Sequence, residues 1–114
     1  MLHPLSTAQA LRLWYDVGLA QVRDDEADLS LRQMTILLTI YLEPPPHTVR
    51  ALAAKLDVSK PVITRALDAM GKLALVSRKR DAQDLRNVLV QRTVQGSLYL
   101  ERMADLISAT TKDL

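Results

Sequence analysis

Residues 57–70 read Asp57-Val58-Ser59-Lys60-Pro61-Val62-Ile63-Thr64-Arg65-Ala66-Leu67-Asp68-Ala69-Met70. They describe a short helix with a marked start and two unlike faces. Ser59 is a good N-cap, because its hydroxyl can accept a hydrogen bond from a free first-turn amide. Pro61 falls in that turn, where a missing amide hydrogen does little harm. Val58 and Ile63 stand at staple positions on either side of the cap. Ile63, Ala66, Leu67 and Met70 recur at helical spacing and make one apolar face. Pro61, Thr64, Arg65 and Asp68 lie opposite, with Lys60 beside them. Any amphipathic surface helix would show this pattern, so the neighbouring sequence decides its role.

On the N-terminal side, Thr48 caps a second short helix, Val49 to Leu56, with Val49, Leu52, Ala53 and Leu56 facing inward. Asp57-Val58 is a tight connection, and two short helices so joined form a helix-turn-helix. The small residues Ala51, Ala53, Ala54 and Ala66 allow close approach. Before them, Ser30 and Gln33 form a capping box that opens a helix. With Leu31, Met34, Ile36, Leu37, Leu38, Ile40, Tyr41 and Leu42 it reads as a core helix, stopped by Pro44-Pro45-Pro46.

On the C-terminal side, Gly71 reads as a left-handed C-cap. Ser77-Arg78-Lys79-Arg80 follows, then Asn87 to Arg92, where Val88 and Val90 alternate with Asn87, Leu89 and Gln91 at the period of a strand. The two segments pair as a hairpin with Asp81 to Arg86 at its tip. The expected fold is therefore mainly α with a small β-hairpin wing, a winged helix-turn-helix over residues 30–92. At the ends, a helix from about Thr7 to Arg23 follows the Ser6–Gln9 capping box, and another runs from Thr93 to about Thr110. Both carry more apolar residues than one stripe needs. Pairing across a two-fold axis buries the excess, so residues 6–26 and 94–112 are expected to be dimerisation helices of one domain spanning 1–114. Asp24 to Asp28 reads as a solvated linker.

Charge is uneven along the chain. Residues 1–47 hold three Arg/Lys against six Asp/Glu, a net −3; residues 48–92 hold ten against four, a net +6; residues 93–114 hold two against three, a net −1. A basic middle between acidic flanks suits a module that faces phosphate. The chain has no cysteine, which excludes disulfides, thiol redox sensing and Cys-ligated zinc. Its two histidines, His3 and His47, have no ligand partner at metal spacing and read as surface residues. No Gly-rich phosphate loop and no nucleophile–base–acid constellation is present, so neither enzyme, metal nor cofactor is expected. No stretch approaches the roughly 20 apolar residues of a membrane span, and Met1-Leu2-His3-Pro4 lacks a signal peptide's basic start. The expected place of work is the cytoplasm, with no membrane partner.

The sequence resembles the MarR family of bacterial transcriptional regulators. The likeness is carried by Leu52-Ala53-Ala54-Lys55-Leu56-Asp57-Val58-Ser59, Val62-Ile63-Thr64-Arg65-Ala66-Leu67-Asp68, Leu75-Val76-Ser77-Arg78, Asp84-Leu85-Arg86 in the wing, and Thr93-Val94-Gln95-Gly96. Arg92 stands where the family has leucine. The resemblance implies a homodimer on pseudo-palindromic operator DNA, with the Ser59 helix in the major groove and the wing in the minor groove. It also implies a DNA contact for Arg86 and a wing-stabilising role for Asp84. Many members release DNA when a small phenolic or lipophilic effector binds between the dimerisation helices and the winged helix. This chain is shorter than a usual member at both ends, which reduces that region. Its lack of cysteine removes the thiol mechanism of the peroxide-sensing branch.

Physical chemistry assigns roles beside the resemblance. Ser59 and Lys60, with Pro61, sit at a helix N-terminus that favours phosphate. Arg65 can make the bidentate contact to guanine, with Thr64 beside it. Arg78, Lys79, Arg80 and Arg86 supply the wing's charge, and Arg86 suits a narrow minor groove. Asp68 is repelled by phosphate; it orients Arg65, accepts from a cytosine amino group, or simply lies toward the helix C-terminal half, away from the DNA backbone. The competing reading is a winged-helix protein-interaction module or a non-specific architectural DNA binder.

Overall fold

The computed structural model describes residues 3–25 and 27–114. Met1 and Leu2 of the start, and Glu26 of the acidic run, lie outside the described residues. The elements in chain order are α1 (Thr7–Val22), α2 (Leu31–Leu42), β1 (His47–Thr48), α3 (Val49–Leu56), α4 (Lys60–Lys72), β2 (Val76–Arg80), β3 (Val88–Arg92) and α5 (Val94–Thr111). They divide into two units: residues 29–99, and residues 1–28 with 100–114.

The unit of residues 29–99 is a helix-turn-helix with a three-stranded antiparallel sheet in the order β1-β3-β2. Its core is Ile36, Leu37 and Ile40 of α2, Leu52 of α3, and Ile63, Leu67 and Met70 of α4, all essentially sealed from solvent. Each such side chain contributes about 1.5–3 kcal/mol by leaving water. The caps are local. Ser30 and Gln33 exchange the two bonds of a capping box, and the Thr48 hydroxyl accepts from the Ala51 amide at 3.0 Å. Leu31 and Leu42, by contrast, are exposed, so α2 buries one face rather than its whole circumference.

The third strand, β1, is not foreseen from sequence. It pairs His47 with Val90 and Thr48 with Leu89. That pairing puts His47 on the buried side with Val90, and both are sealed from solvent, which corrects the surface reading of this histidine. Its Nε2 lies 3.1 Å from the Glu43 carbonyl oxygen. A carbonyl can only accept, so Nε2 carries the proton. His3 is exposed, as expected.

The end of α4 also differs. Gly71 stays inside the helix, Leu73 is the C-cap, and Ala74 takes the left-handed position at φ 60°. The Ala74 N–H donates to the Gly71 carbonyl at 2.9 Å and the Leu75 N–H to that of Met70 at 3.0 Å. This is the paired closure that delivers Leu75 into the core. A left-handed alanine costs about 1–2 kcal/mol. The Thr93 hydroxyl holds it by donating to the Ala74 carbonyl at 2.7 Å.

Where β3 meets α5, several long-range bonds converge. The Tyr41 hydroxyl donates to the Thr93 carbonyl at 2.7 Å and accepts from the Thr93 amide at 3.0 Å. Thr93 then caps α5, its hydroxyl accepting from the Gly96 amide at 2.9 Å. A Cβ on Gly96 would collide with the Leu75 carbonyl oxygen and the Tyr41 hydroxyl. Arg92 reaches back, its Nε and Nη2 donating to the Ile40 and Tyr41 carbonyls, each at 3.0 Å. Its guanidinium lies 5.4 Å from the centre of the Tyr41 ring. Arg92 thus serves the end of α2 while staying exposed.

In the other unit, α1 opens on the Ser6–Gln9 capping box and has no buried residue. Leu11 and Trp14 are 66% and 70% exposed. Asp24 is not a simple solvated residue: it accepts from the Ala27 amide and, at 3.2 Å, from Arg102.

Candidate nucleic-acid interface

The apolar face of α4 is consumed by the core, and what remains outward is the polar row foreseen from the sequence. Ser59, Lys60, Pro61, Thr64, Arg65 and Asp68 are all exposed. Ser59 is the N-cap but makes no side-chain cap bond, unlike the expectation. The reason lies in Pro61. A cap hydroxyl accepts from the second or third helical amide; Pro61 occupies the second position with no N–H, and the Val62 amide turns to the Ser59 carbonyl at 3.2 Å. The Ser59 hydroxyl is therefore left without a cap partner at the positive end of the helix.

The wing is β2 and β3 with residues 81–87 between them. Arg78 stands opposite Val90, Lys79 opposite Leu89 and Arg80 opposite Val88. Alternation puts Arg78 and Arg80 on the same side as Val76, and Lys79 on the other. At the tip, Asp84 binds Arg86 three times. Its Oδ1 accepts from the Arg86 backbone amide at 3.1 Å and from Nε at 2.9 Å, and its Oδ2 from Nη2 at 2.9 Å. The Arg86 side chain and then its backbone N–H hold the Asp84 carboxyl below the ordinary value of 3.8. The same carboxylate raises Arg86. Arg86 is nonetheless 76% exposed, so the pair fixes its direction without hiding it. Arg80 Nη1 donates to the Leu85 carbonyl at 3.0 Å and closes the same turn.

One group sits otherwise than the sequence suggested. Asp68 does not orient Arg65; its Oδ1 accepts from Arg78 Nη2 at 2.7 Å, joining α4 to the base of the wing. Lys55, on α3, lies 3.9 Å from Glu43. Lys60, Arg65 and Lys79 carry no ion pair among the described residues. The nominal charge of residues 48–92 thus divides into engaged cations (Lys55, Arg78, Arg80, Arg86, Arg92) and unengaged ones. Arg78 lies two residues beyond buried Val76 on the strand, but which helix turn it meets is not visible in the sequence. Arg92 lies beside the C-terminus of α2, where free carbonyls attract a cation, a placement that the sequence does not show.

Comparison with known proteins follows the same outline. The MarR family profile matches residues 29–88. The organic hydroperoxide resistance transcriptional regulator of Bacillus subtilis (strain 168) is 29% identical over 82 residues, covering 72% of this chain and 55% of that protein. The chain thus spans about half the length of that relative. The structure of the YusO protein from Bacillus subtilis superposes with a TM-score of 0.78 at 15% identity, covering 93% of this chain and 72% of that one. That of the S. aureus MepR–DNA complex gives 0.70 at 19% identity, covering 93% and 78%. Among the described residues no helix is long and apolar enough to cross a membrane.

Proposed function

The chain belongs to the MarR family, and on that premise we propose that it is a sequence-specific, DNA-binding regulator of transcription acting as a homodimer. The observation that carries this reading is the outward row of α4. It sets phosphate-binding groups at the helix start, Ser59 and Lys60, one turn before Thr64 and the unengaged Arg65. Such a helix fits the major groove N-terminus first. Arg65 supplies the bidentate donor for guanine, worth about 1–3 kcal/mol of discrimination. The wing adds Lys79 as a phosphate contact, and Arg86, aimed outward by Asp84, enters the minor groove, where the potential is most negative.

The exposed face of α1 supports the dimer. A helix with Leu11, Trp14 and Val22 all more than 60% exposed needs a partner surface, and a second copy offers the same one. Two recognition helices would then stand about 34 Å apart, one turn of DNA. A regulator of this kind works in the cytoplasm.

Selection of bound duplexes from a random pool tests the reading. A two-fold related motif is the expected result; equal recovery of all sequences would reduce the protein to a non-specific binder, and no recovery would leave a protein-interaction module. Arg65→Ala is expected to weaken the selected site by about 1–3 kcal/mol and relax base preference. Lys79→Ala should weaken all sequences alike. Sedimentation of a monomer at micromolar concentration would remove the dimer.

A further inference from the structure

We propose that Asp68 is a selectivity residue that withholds Arg78 from DNA phosphate. This rests on the reading of the chain as a DNA-binding regulator. Asp68 lies one turn beyond Arg65 on the exposed face of α4, where a carboxylate opposes DNA. Its partner, Arg78, comes from the base of the wing, 2.7 Å away; the aspartate is half exposed and the arginine about one-third. Lys72 lines the same cleft between α4 and β2, so without Asp68 this junction would present two cations side by side.

An exposed ion pair contributes little to stability, so the pair's main consequence is the charge that α4 and the wing show a duplex. Phosphate attracts every uncommitted cation whatever the base sequence, and that attraction supplies essentially all non-specific binding. What matters in a genome is the ratio of specific to non-specific affinity. By neutralising Arg78, Asp68 lowers the non-specific floor and leaves discrimination to Arg65. The wing tip carries the opposite arrangement: Asp84 directs Arg86 outward, whereas Asp68 draws Arg78 back onto the helix. Asp68 is therefore a positioning residue that acts through Arg78.

The test is fluorescence anisotropy on the selected duplex and on a random duplex across a salt series, for the intact chain, Asp68→Asn, Arg78→Gln and the double variant. Asp68→Asn should raise affinity for the random duplex roughly fivefold and steepen its salt slope by about one to two, one added phosphate contact per protomer. The selected duplex should gain less, so the ratio falls. In the Arg78→Gln background the same change should leave random-duplex binding within about twofold and the slope unmoved. Asp68→Ala should behave as Asp68→Asn, with unchanged helix content by circular dichroism. An equal rise in both backgrounds would overturn the proposal, since Asp68 would then act as a plain repulsive charge. Altered preference at one base position would also overturn it, because Asp68 would be reading a base. So would unchanged random-duplex binding in Asp68→Asn. If the intact chain binds neither duplex, the regulator reading itself fails, and that result is distinct from the others.

Discussion

The two ends of β3 are built in opposite ways. At the Arg92 end, Tyr41, Thr93, Gly96 and the α2 carbonyls are bonded across about fifty residues of sequence, and Gly96 has no room for a methyl group. At the Val88 end, Asp84 and Arg86 are bonded to each other within one turn, and most of the arginine faces water. One end holds the fold together. The other holds a single side chain in a direction and adds nothing the core needs. Charge alone would not separate them, because each is centred on an arginine.

Substitutions should break this contrast in a definite order. Gly96→Ala is expected to do most, about 2–4 kcal/mol by urea denaturation, because the new methyl must displace backbone and the Tyr41 hydroxyl; an unchanged midpoint would mean that the junction yields. Tyr41→Phe should destabilise by about 1–2 kcal/mol, leaving the Thr93 amide unpaired in a half-buried place while the Thr93 carbonyl keeps the Ser97 amide. Arg92→Met keeps much of the stem and should lose about 1 kcal/mol, as its head group is partly solvated. Arg86→Ala should leave the urea midpoint where it is and weaken DNA binding, the reverse of the Arg92 result.

The smallest effect is that of acid on the tip. The folded Asp84 pKa lies below 3.8, so the Asp84–Arg86 pair is complete above that value and is lost as pH falls through the lower, folded one. A carboxyl titration followed by NMR should therefore place Asp84 below the ordinary value of 3.8. A value at or above it would show that the tip is unformed in solution.

What could be read from sequence was local. The caps at Ser6, Ser30 and Thr48, the span of α3 and the facing of Ile63, Leu67 and Met70 all depend on residues within four positions of one another. What could not be read was set by pairing at a distance. β1 is two residues long and exists only because β3, forty residues later, lies beside it; its register is what buries His47. Ala74 takes a conformation that suits glycine because Leu75 must enter the core and Thr93 secures the turn. The candidate interface divides the same way. Ser59 to Arg65 lie on the face that helical periodicity assigns them. The Asp68–Arg78 pair requires knowing which strand residue meets which helix turn, and no spacing rule supplies that.

Pro61 has a consequence for speed. Because it has no amide to offer, the Ser59 hydroxyl is left without a cap bond, and that group at the reading end of the helix is in its docking form before DNA arrives. An arriving phosphate exchanges with solvent alone, and no intramolecular bond has to open first. Encounter should then run at the pace of electrostatically steered diffusion, with an association rate that falls with ionic strength and little activation beyond it. Differences between good and poor sites would be written in how long the complex lasts.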